Sequence, residues 1–458
     1  MAQPSQSFAI VRAAGVMTVL TTTAHTREIC PLIELLTRIS VTRIKMLKKI
    51  SVDDVKLGMH IEEMCGGWMD HPFWKSSFEV KDSKILHMLH RSAVREVWIN
   101  TRKGIDVAPE VNTASEDIEN LKVEETLLLA SKTRSHTANH QISLHDEIDR
   151  ARIIHAKAKK EVISMFQNAR MGRMLNLENV ESLVDEINQS MLRNDSALLS
   201  LLRIKNKDDY TYLHSISVCA LMLSLGRRLG LEGASLNEAG MAGLLHDIGK
   251  SLIPENILNK PSHLSDCEFE VMKEHPQLGW NILSQSSEIS EVTLDVCLHH
   301  HERLDGSGYP KQLSGDTISQ FSRMAAICDV YDAITADRCY KKAWEPAIAI
   351  RKMAEWKDGN YDVLIFHAFI KTIGIYPVGS LVTLNSGRLG IVIEQTPKSL
   401  LTPRVTVFYS TRSSEYIHPE IVDLSKSQDG IFNIESTSDW PFSTDFLQRM
   451  LEINPHPD

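Results

Sequence analysis

The chain has 458 residues, more than one compact core organises, and an ordinary apolar fraction of 43% that can fill two or three. Its net charge of −9 argues against broad binding to DNA or RNA, which demands a basic face, but allows a small anion held by local cations. No apolar run reaches the roughly 18 residues of a membrane span, and the seven scattered cysteines form no CxxC, so a reducing cytoplasm is the expected setting.

Residues 1–45 read as a leader, disordered or lying upstream of a true start at Met46. The mildly apolar stretch from Phe8 to Thr23 is interrupted by Arg12 and lacks a clean signal-peptide cleavage site. Residues 46–105 predict a small α+β regulatory domain: apolar-alternating runs around Ile50 and Gly58-Met-His-Ile, a helix over 83–93, and a strand at Val94-Arg-Glu-Val-Trp-Ile. Its Trp68, Phe73 and Trp74 read as packing residues. Residues 106–145, rich in Glu, Asp, Ser and Thr, predict a mobile polar linker, with His136, His140 and His145 solvated in it rather than acting as ligands.

Residues 146–375 predict an all-α domain. Ile148, Ile153, Ile154, Val162, Ile163 and Phe166 recur at helical spacing, and further helices are expected over 212–229, 236–246, 266–284, 289–301, 318–336 and 344–356. Cys219, Cys297 and Cys328 fall among apolar neighbours and read as reduced core residues. The texture changes at 376. Short β-branched runs between turn residues predict a small β module over 376–425, within a C-terminal region 376–458 whose tail beyond Asp429 is weakly structured.

The chemistry concentrates in the helical region. His246-Asp247 follows the apolar run Ala239-Gly-Met-Ala-Gly-Leu-Leu, and a polar pair buried there is costly without a compensating partner such as a metal ion. His214, His275, His300-His301 and Asp329 each fall on or at the end of another predicted helix, so a bundle can converge them on one point. Imidazole and carboxylate together suit Fe, Mn, Zn or Co better than Ca or Mg alone. Taken singly, each histidine is more often a hydrogen-bonded core residue. The set of them is harder to explain that way.

These residues lie in motifs. His246-Asp247-Ile-Gly-Lys250 resembles the HDxGK signature of the HD phosphohydrolase superfamily. His300-His301-Glu-Arg-Leu-Asp-Gly-Ser-Gly-Tyr-Pro310 resembles the HHExxDGxGYP signature of its HD-GYP branch, and the run Asp329-Val-Tyr-Asp to Arg338-Cys-Tyr-Lys341 is similar to the DxYDAxTxxRxY element. The match spans about Leu183 to Ile375 with the motifs in order. Residues 46–105 resemble, less closely, the small uncharacterised domain that often precedes HD-GYP, through Gly58-Met and Trp68-Met-Asp-His-Pro-Phe.

The resemblance implies an enzyme that hydrolyses cyclic di-GMP to linear pGpG and on to GMP. It implies a metal set of His214, His246, Asp247, His275, His300, His301 and Asp329, with Asp247 bridging two ions and the catalytic group comprising His246, Asp247 and Lys250. Lys250, Arg338 and Lys341 match residues that contact substrate phosphate. A hydroxide bridging two metals about 3.5–4 Å apart is the nucleophile expected of such a centre. Gly308, Tyr309 and Pro310 are read as a substrate-binding lip of the site or a docking surface for diguanylate cyclase (GGDEF) domains. Some members hold a third metal through a Glu four residues before the first His. Tyr210 stands there in this chain, and Asp209 lies about 100° around the helix, so two divalent ions, Fe or Mn, are expected. Cys339 replaces a frequent Pro, and His299 reads as an outer or surface residue. The competing readings are a catalytically silent cyclic di-GMP-binding or protein-interaction module, and an HD phosphohydrolase acting on ppGpp or dNTPs. The GYP block opposes the second; the intact ligand set opposes the first.

Overall fold

The computed structural model describes residues 8–13, 16–21, 47–65, 77–92, 94–108, 113–132, 142, 144–202, 210–260, 262, 264–336, 343–396 and 399–453. The chain divides into two compact units, residues 1–47 and 48–458. In the first, β1 (Phe8–Ala13) and β2 (Val16–Thr21) pair antiparallel, with Phe8 opposite Thr21 and Ala13 opposite Val16. The leader reading of 1–45 otherwise falls on residues outside those described.

The second unit begins with a five-stranded sheet of order β5-β4-β6-β3-β7, built from β3 (Leu47–Ser51), β4 (His60–Cys65), β5 (Phe78–Glu79), β6 (Glu96–Asn100) and β7 (Ala114–Ser115). Helix α1 (Ser83–Arg91) starts where Asp82 Oδ1 accepts from the amides of Lys84 and Ile85, both at 2.9 Å, satisfying two otherwise orphaned donors. Ile50, Met59, Ile61, Leu89, Val97 and Ile99 fill this module's core. Trp68, Phe73 and Trp74 lie outside the described residues.

The linker expectation does not hold for much of 106–145. Residues Glu116–Lys132 form helix α2, and its Val123, Leu127 and Ala130 are buried in the largest apolar cluster of the helical domain. These three recur at helical spacing, but the surrounding Glu and Lys obscure them in composition. His136 and His140 are outside the described residues, as is the side chain of His145.

Helices α3 (Leu144–Arg170), α4 (Leu177–Leu202), α5 (Tyr210–Arg228) and α6 (Gly233–Leu245) follow, with α3 on α4 and α5 on α6. Every residue of α5 from Leu213 to Gly226 is buried, as befits a helix covered on all sides. Next come α7 (Glu255–Leu258), α8 (Asp266–Met272), α9 (His275–Leu283), α10 (Glu291–His299), α11 (Gln320–Ile334), α12 (Pro346–Asn360) and α13 (Val363–Ile373). The single helix expected over 266–284 is in fact two. Pro276 lacks an N–H and cannot sit in a helix interior, but it fits the first turn of α9. Cys219, Cys297 and Cys328 are buried and unpaired, as expected.

An antiparallel sheet of order β11-β10-β9-β8-β12 closes the chain: β8 (Leu381–Leu384), β9 (Arg388–Thr396), β10 (Ser399–Ser410), β11 (Glu415–Asp423) and β12 (Ile431–Glu435). The tail is structured over the described residues 430–453, contrary to expectation. β12 pairs with β8, and α14 (Thr444–Leu451) seats Phe446 on Phe408 with ring centroids 5.2 Å apart. The sequence there is too short in each run to show its period.

Candidate metal centre

Seven side chains from five separate places in the helical domain meet. His214 lies one turn into α5, His246 caps the C-terminus of α6, and Asp247 leads into a 3₁₀ turn, Ile248–Leu252. His275 opens α9, which is why the break at Pro276 matters: a continuous helix would carry it elsewhere. His300 caps α10, His301 follows it, and Asp329 lies within α11. All are buried except His301, which is partly so.

Asp247 sits at the middle. Its Oδ2 is 3.5 Å from His214 Nε2 and 3.3 Å from His246 Nε2, while its Oδ1 is 3.2 Å from His275 Nε2 and 3.8 Å from His300 Nε2. Asp329 Oδ1 lies 2.9 Å from His214 Nε2, and its Oδ2 3.6 Å from His301 Nδ1. Three groups have ligand atoms mutually within 4.8 Å: His214, His246 and Asp329; His275, His300 and His301; and His246, Asp247 and His300.

The tautomers show what these groups can bind. His246 Nδ1 faces Gly243 O at 2.7 Å, His275 Nδ1 faces Met272 O at 2.7 Å, and His300 Nδ1 faces Val296 O at 3.0 Å. A carbonyl only accepts, so each Nδ1 carries the proton, and each ring in its neutral form turns an Nε2 lone pair inward. His275 and His300 then place two lone pairs 3.3 Å apart. Buried Nε2 of His246 and Oδ1 of Asp247 have no well-formed hydrogen bond among the described residues. A metal cation at the meeting point satisfies all of these atoms, and anchoring of the distal ring nitrogen is the usual support of a metal-bound histidine.

Protonation agrees. Burial and the neighbouring His246 and His275 push His300 down to about 3, and burial with His300 beside it pushes His301 well down. Burial opposes ionisation of Asp247 and Asp329, yet Lys250 and His246 at the first, and His214 at the second, hold both carboxyls well below the usual range. Neutral imidazoles and ionised carboxylates are the forms that bind metal.

Two supporting residues, Asp332 and Glu302, were given no role in the sequence reading, and the contact made by Tyr210 was not foreseen. Asp332, one turn beyond Asp329, accepts from His214 Nδ1 at 2.6 Å and fixes that ring. Glu302 is buried and accepts from the amides of Lys311 at 2.6 Å and Leu313 at 3.0 Å, pinning the loop after Pro310. Tyr210, at the position of the third-metal Glu, stacks on His214 with centroids 5.6 Å apart. The spacing from Asp329 could have exposed Asp332, and Glu302 stands inside the HHExxDGxGYP signature; nothing local marks the Tyr210 stack.

A cavity of about 1170 Å³ opens onto this cluster, lined by Lys250, His300, His301, Asp329 and the loop Gly308-Tyr309-Pro310. Tyr309 stacks on His301, centroids 4.7 Å apart. Gly308 is required by space, since a Cβ there would lie 2.5 Å from the Arg303 amide nitrogen. Lys250 Nζ donates to Asp247 Oδ2 across the 3₁₀ turn at 2.5 Å, so it is placed by its i,i+3 relation to Asp247 rather than by an α-helical relation to His246. His299 turns to Asp295 at 2.8 Å, away from the cluster. Arg338, Cys339 and Lys341 lie outside the described residues, as does Asp209.

Comparison with known proteins bears on this arrangement. Residues 183–365 match the family described as HD domain, and residues 47–180 match a domain of unknown function, DUF3391. The chain is 48% identical over 400 residues to the cyclic di-GMP phosphodiesterase PA4108 of Pseudomonas aeruginosa, covering 87% of this chain and 94% of that protein. It belongs to that HD-domain phosphodiesterase family. The chain is also 39% identical over 203 residues to the cyclic di-GMP phosphodiesterase response regulator RpfG of Xanthomonas campestris, covering 43% of this chain and 53% of RpfG. Among solved structures, Bd1817, an HDG"Y"P protein from Bdellovibrio bacteriovorus, is 18% identical with a TM-score of 0.42, covering 70% of this chain and 98% of that one. An HD domain implies a divalent-metal site, and the His/Asp groups described above supply its donors. Among the described residues, no helix is long and apolar enough to cross a membrane.

Proposed function

We propose that this HD-domain phosphodiesterase hydrolyses cyclic di-GMP to linear pGpG and on to GMP, at a centre of two divalent ions, Fe or Mn. The observation that carries the reading is the division of Asp247: one carboxylate oxygen faces His214 and His246, the other faces His275 and His300. That division supports a reading in which Asp247 would serve both a group completed by Asp329 and a group completed by His301. A third ion lacks its carboxylate, because Tyr210 occupies that position with its ring against His214.

Divalent ions bound there polarise phosphoryl oxygens and lower the pKa of water, making a nucleophile available at neutral pH. The chain's own residues do the rest. Lys250 lines the cavity beside Asp247 and brings positive charge to the scissile phosphate. Arg338 and Lys341 join it in this reading through their place in the motif. Gly308, Tyr309 and Pro310 border the cavity, which favours their role as a lip of the substrate site over a docking surface for GGDEF domains. Cyclic di-GMP is an intracellular signal, so the reading places the enzyme in the cytoplasm. Completeness of the ligand set disfavours a silent binding module.

The test is product separation after incubating purified protein with cyclic di-GMP and Mn²⁺ or, anaerobically, Fe²⁺. pGpG and GMP are expected, and neither appearing sinks the proposal. His246→Ala and Asp247→Ala are each expected to remove turnover and metal retention together. About one tightly held ion per active chain, by elemental analysis, contradicts the binuclear reading.

A further inference from the structure

Cyclic di-GMP carries two phosphodiesters, and in the reading above the metal cluster with Lys250 takes one, leaving the second to be held elsewhere in the cavity. That cavity is not built by the helical domain alone. One wall comes from the N-terminal α+β module, through the end of α1 and the start of β6. Among cationic side chains lining the space, Lys49, Lys122, Lys250 and Lys273 are each ion-paired to a carboxylate at 2.5–2.7 Å. Arg91 and Arg95 differ. Arg91, in the last turn of α1, has no hydrogen bond or ion pair among the described residues. Arg95 reaches Asp305, at the entrance to the Gly306–Pro310 loop, at 3.3 Å, with 65% of its side chain exposed. An ion pair that exposed is weak, on the order of 0–1 kcal/mol, so a phosphate can displace the carboxylate. Guanidinium is also the side chain best shaped to hold phosphate oxygens in pairs.

Resting on the cyclic di-GMP reading, we propose that Arg91 and Arg95 of the N-terminal module form an anion subsite for the non-scissile phosphate of the cyclic dinucleotide. The module is then part of the substrate site. It raises selectivity for a two-phosphate ring over a simple phosphodiester, and its position relative to the loop sets how well that ring is held.

The experiment compares full-length, Mn²⁺-loaded protein on cyclic di-GMP and on bis(p-nitrophenyl) phosphate, which has one phosphodiester and nothing to place in the second subsite. For Arg91→Ala/Arg95→Ala the ratio of kcat/KM between the two substrates is expected to fall about tenfold or more, the worth of roughly one lost phosphate contact, mainly through KM. Arg95→Lys keeps the charge and is expected to recover part of the ratio. Asp305→Asn removes the carboxylate that competes for Arg95 while leaving both arginines, and its ratio is expected to stay at the wild-type value or rise above it. An unchanged ratio in the double variant overturns the inference, as does an equal loss on both substrates. A loss in Asp305→Asn that matches the one in Arg95→Ala overturns it too, because the effect then lies in the bridge and not in phosphate binding. If wild-type protein cleaves the simple diester and not cyclic di-GMP, the functional reading fails, and the subsite with it.

Discussion

At the scale of single residues, the centre depends on groups that touch no metal. Asp332 is the clearest, since its carboxylate fixes the proton of His214 on Nδ1 and leaves Nε2 for the ion. Asp332→Asn is expected to weaken metal affinity about 10- to 100-fold, as loss of such an outer partner typically does. Metal titration monitored by activity and by direct binding checks it, and wild-type affinity would show that His214 orients itself without help. Glu302 acts on the loop instead. Glu302→Gln replaces a charged acceptor of two amides with a neutral one, and one buried bond weakened in this way costs about 1–3 kcal/mol. The expected result is lower stability in urea and a raised KM with metal content intact. A metal-depleted variant would mean that Glu302 supports the ligands rather than the loop.

At the scale of elements, the close approach of the 3₁₀ turn to α9 joins the two halves of the cluster. A Cβ on Gly249 would fall 1.9 Å from His275 O and 2.4 Å from the Gly279 amide nitrogen, both backbone atoms that cannot swing aside. Gly249→Ala is therefore expected to push α9 away, moving His275 from Asp247. Overpacking of this sort typically costs about 1–3 kcal/mol. Thermal unfolding with and without added Mn²⁺ is the measurement: a lower midpoint and a smaller metal-induced rise are expected, and a wild-type rise counts against the coupling. The break between α8 and α9 belongs at this scale as well. Pro276 was readable in the sequence, yet the long apolar-periodic run around it suggested one helix. The fold resolves the conflict by letting the proline start a new helix with His275 at its head.

At the scale of the molecule, the N-terminal module is tied to the helical domain by buried and half-buried polar groups. Trp98 Nε1 donates to Glu355 Oε1 at 2.6 Å, and Lys352 Nζ donates to Glu63 Oε2 at 2.7 Å. Trp98→Phe keeps the ring and removes the donor to a carboxylate that is 9% exposed, so a loss of about 1–3 kcal/mol is expected. Chemical unfolding followed by fluorescence of the remaining tryptophans measures it; no change would show that water replaces the indole. Helix α2 completes the joint. Lys49 of β3 reaches its Glu119 at 3.1 Å, while Val123, Leu127 and Ala130 enter the core of the helical domain.

Much of the site was legible in the sequence because it is written in short motifs. His246-Asp247, His300-His301 and Asp329 carry their chemistry in adjacent or one-turn spacing, and the helices that bring them together announce themselves by period. The small terminal strands and the tail helix were less legible, since a run of four or five residues has no period to read and is stabilised by partners distant in the chain. The same applies to α2, whose three buried apolar positions are outnumbered by charged ones. By itself, then, the sequence determined the donor types and the helical scaffold, because each depends on local spacing and side-chain chemistry; the two-metal expectation came from the resemblance of its motifs to a family. Only the tertiary structure decided that Asp247 divides its oxygens between two sets of histidines, that Asp332 fixes His214 and Glu302 pins the loop after Pro310, and that the N-terminal module lines the cavity that opens onto the cluster. Those depend on distances between residues far apart in the chain, which packing alone sets.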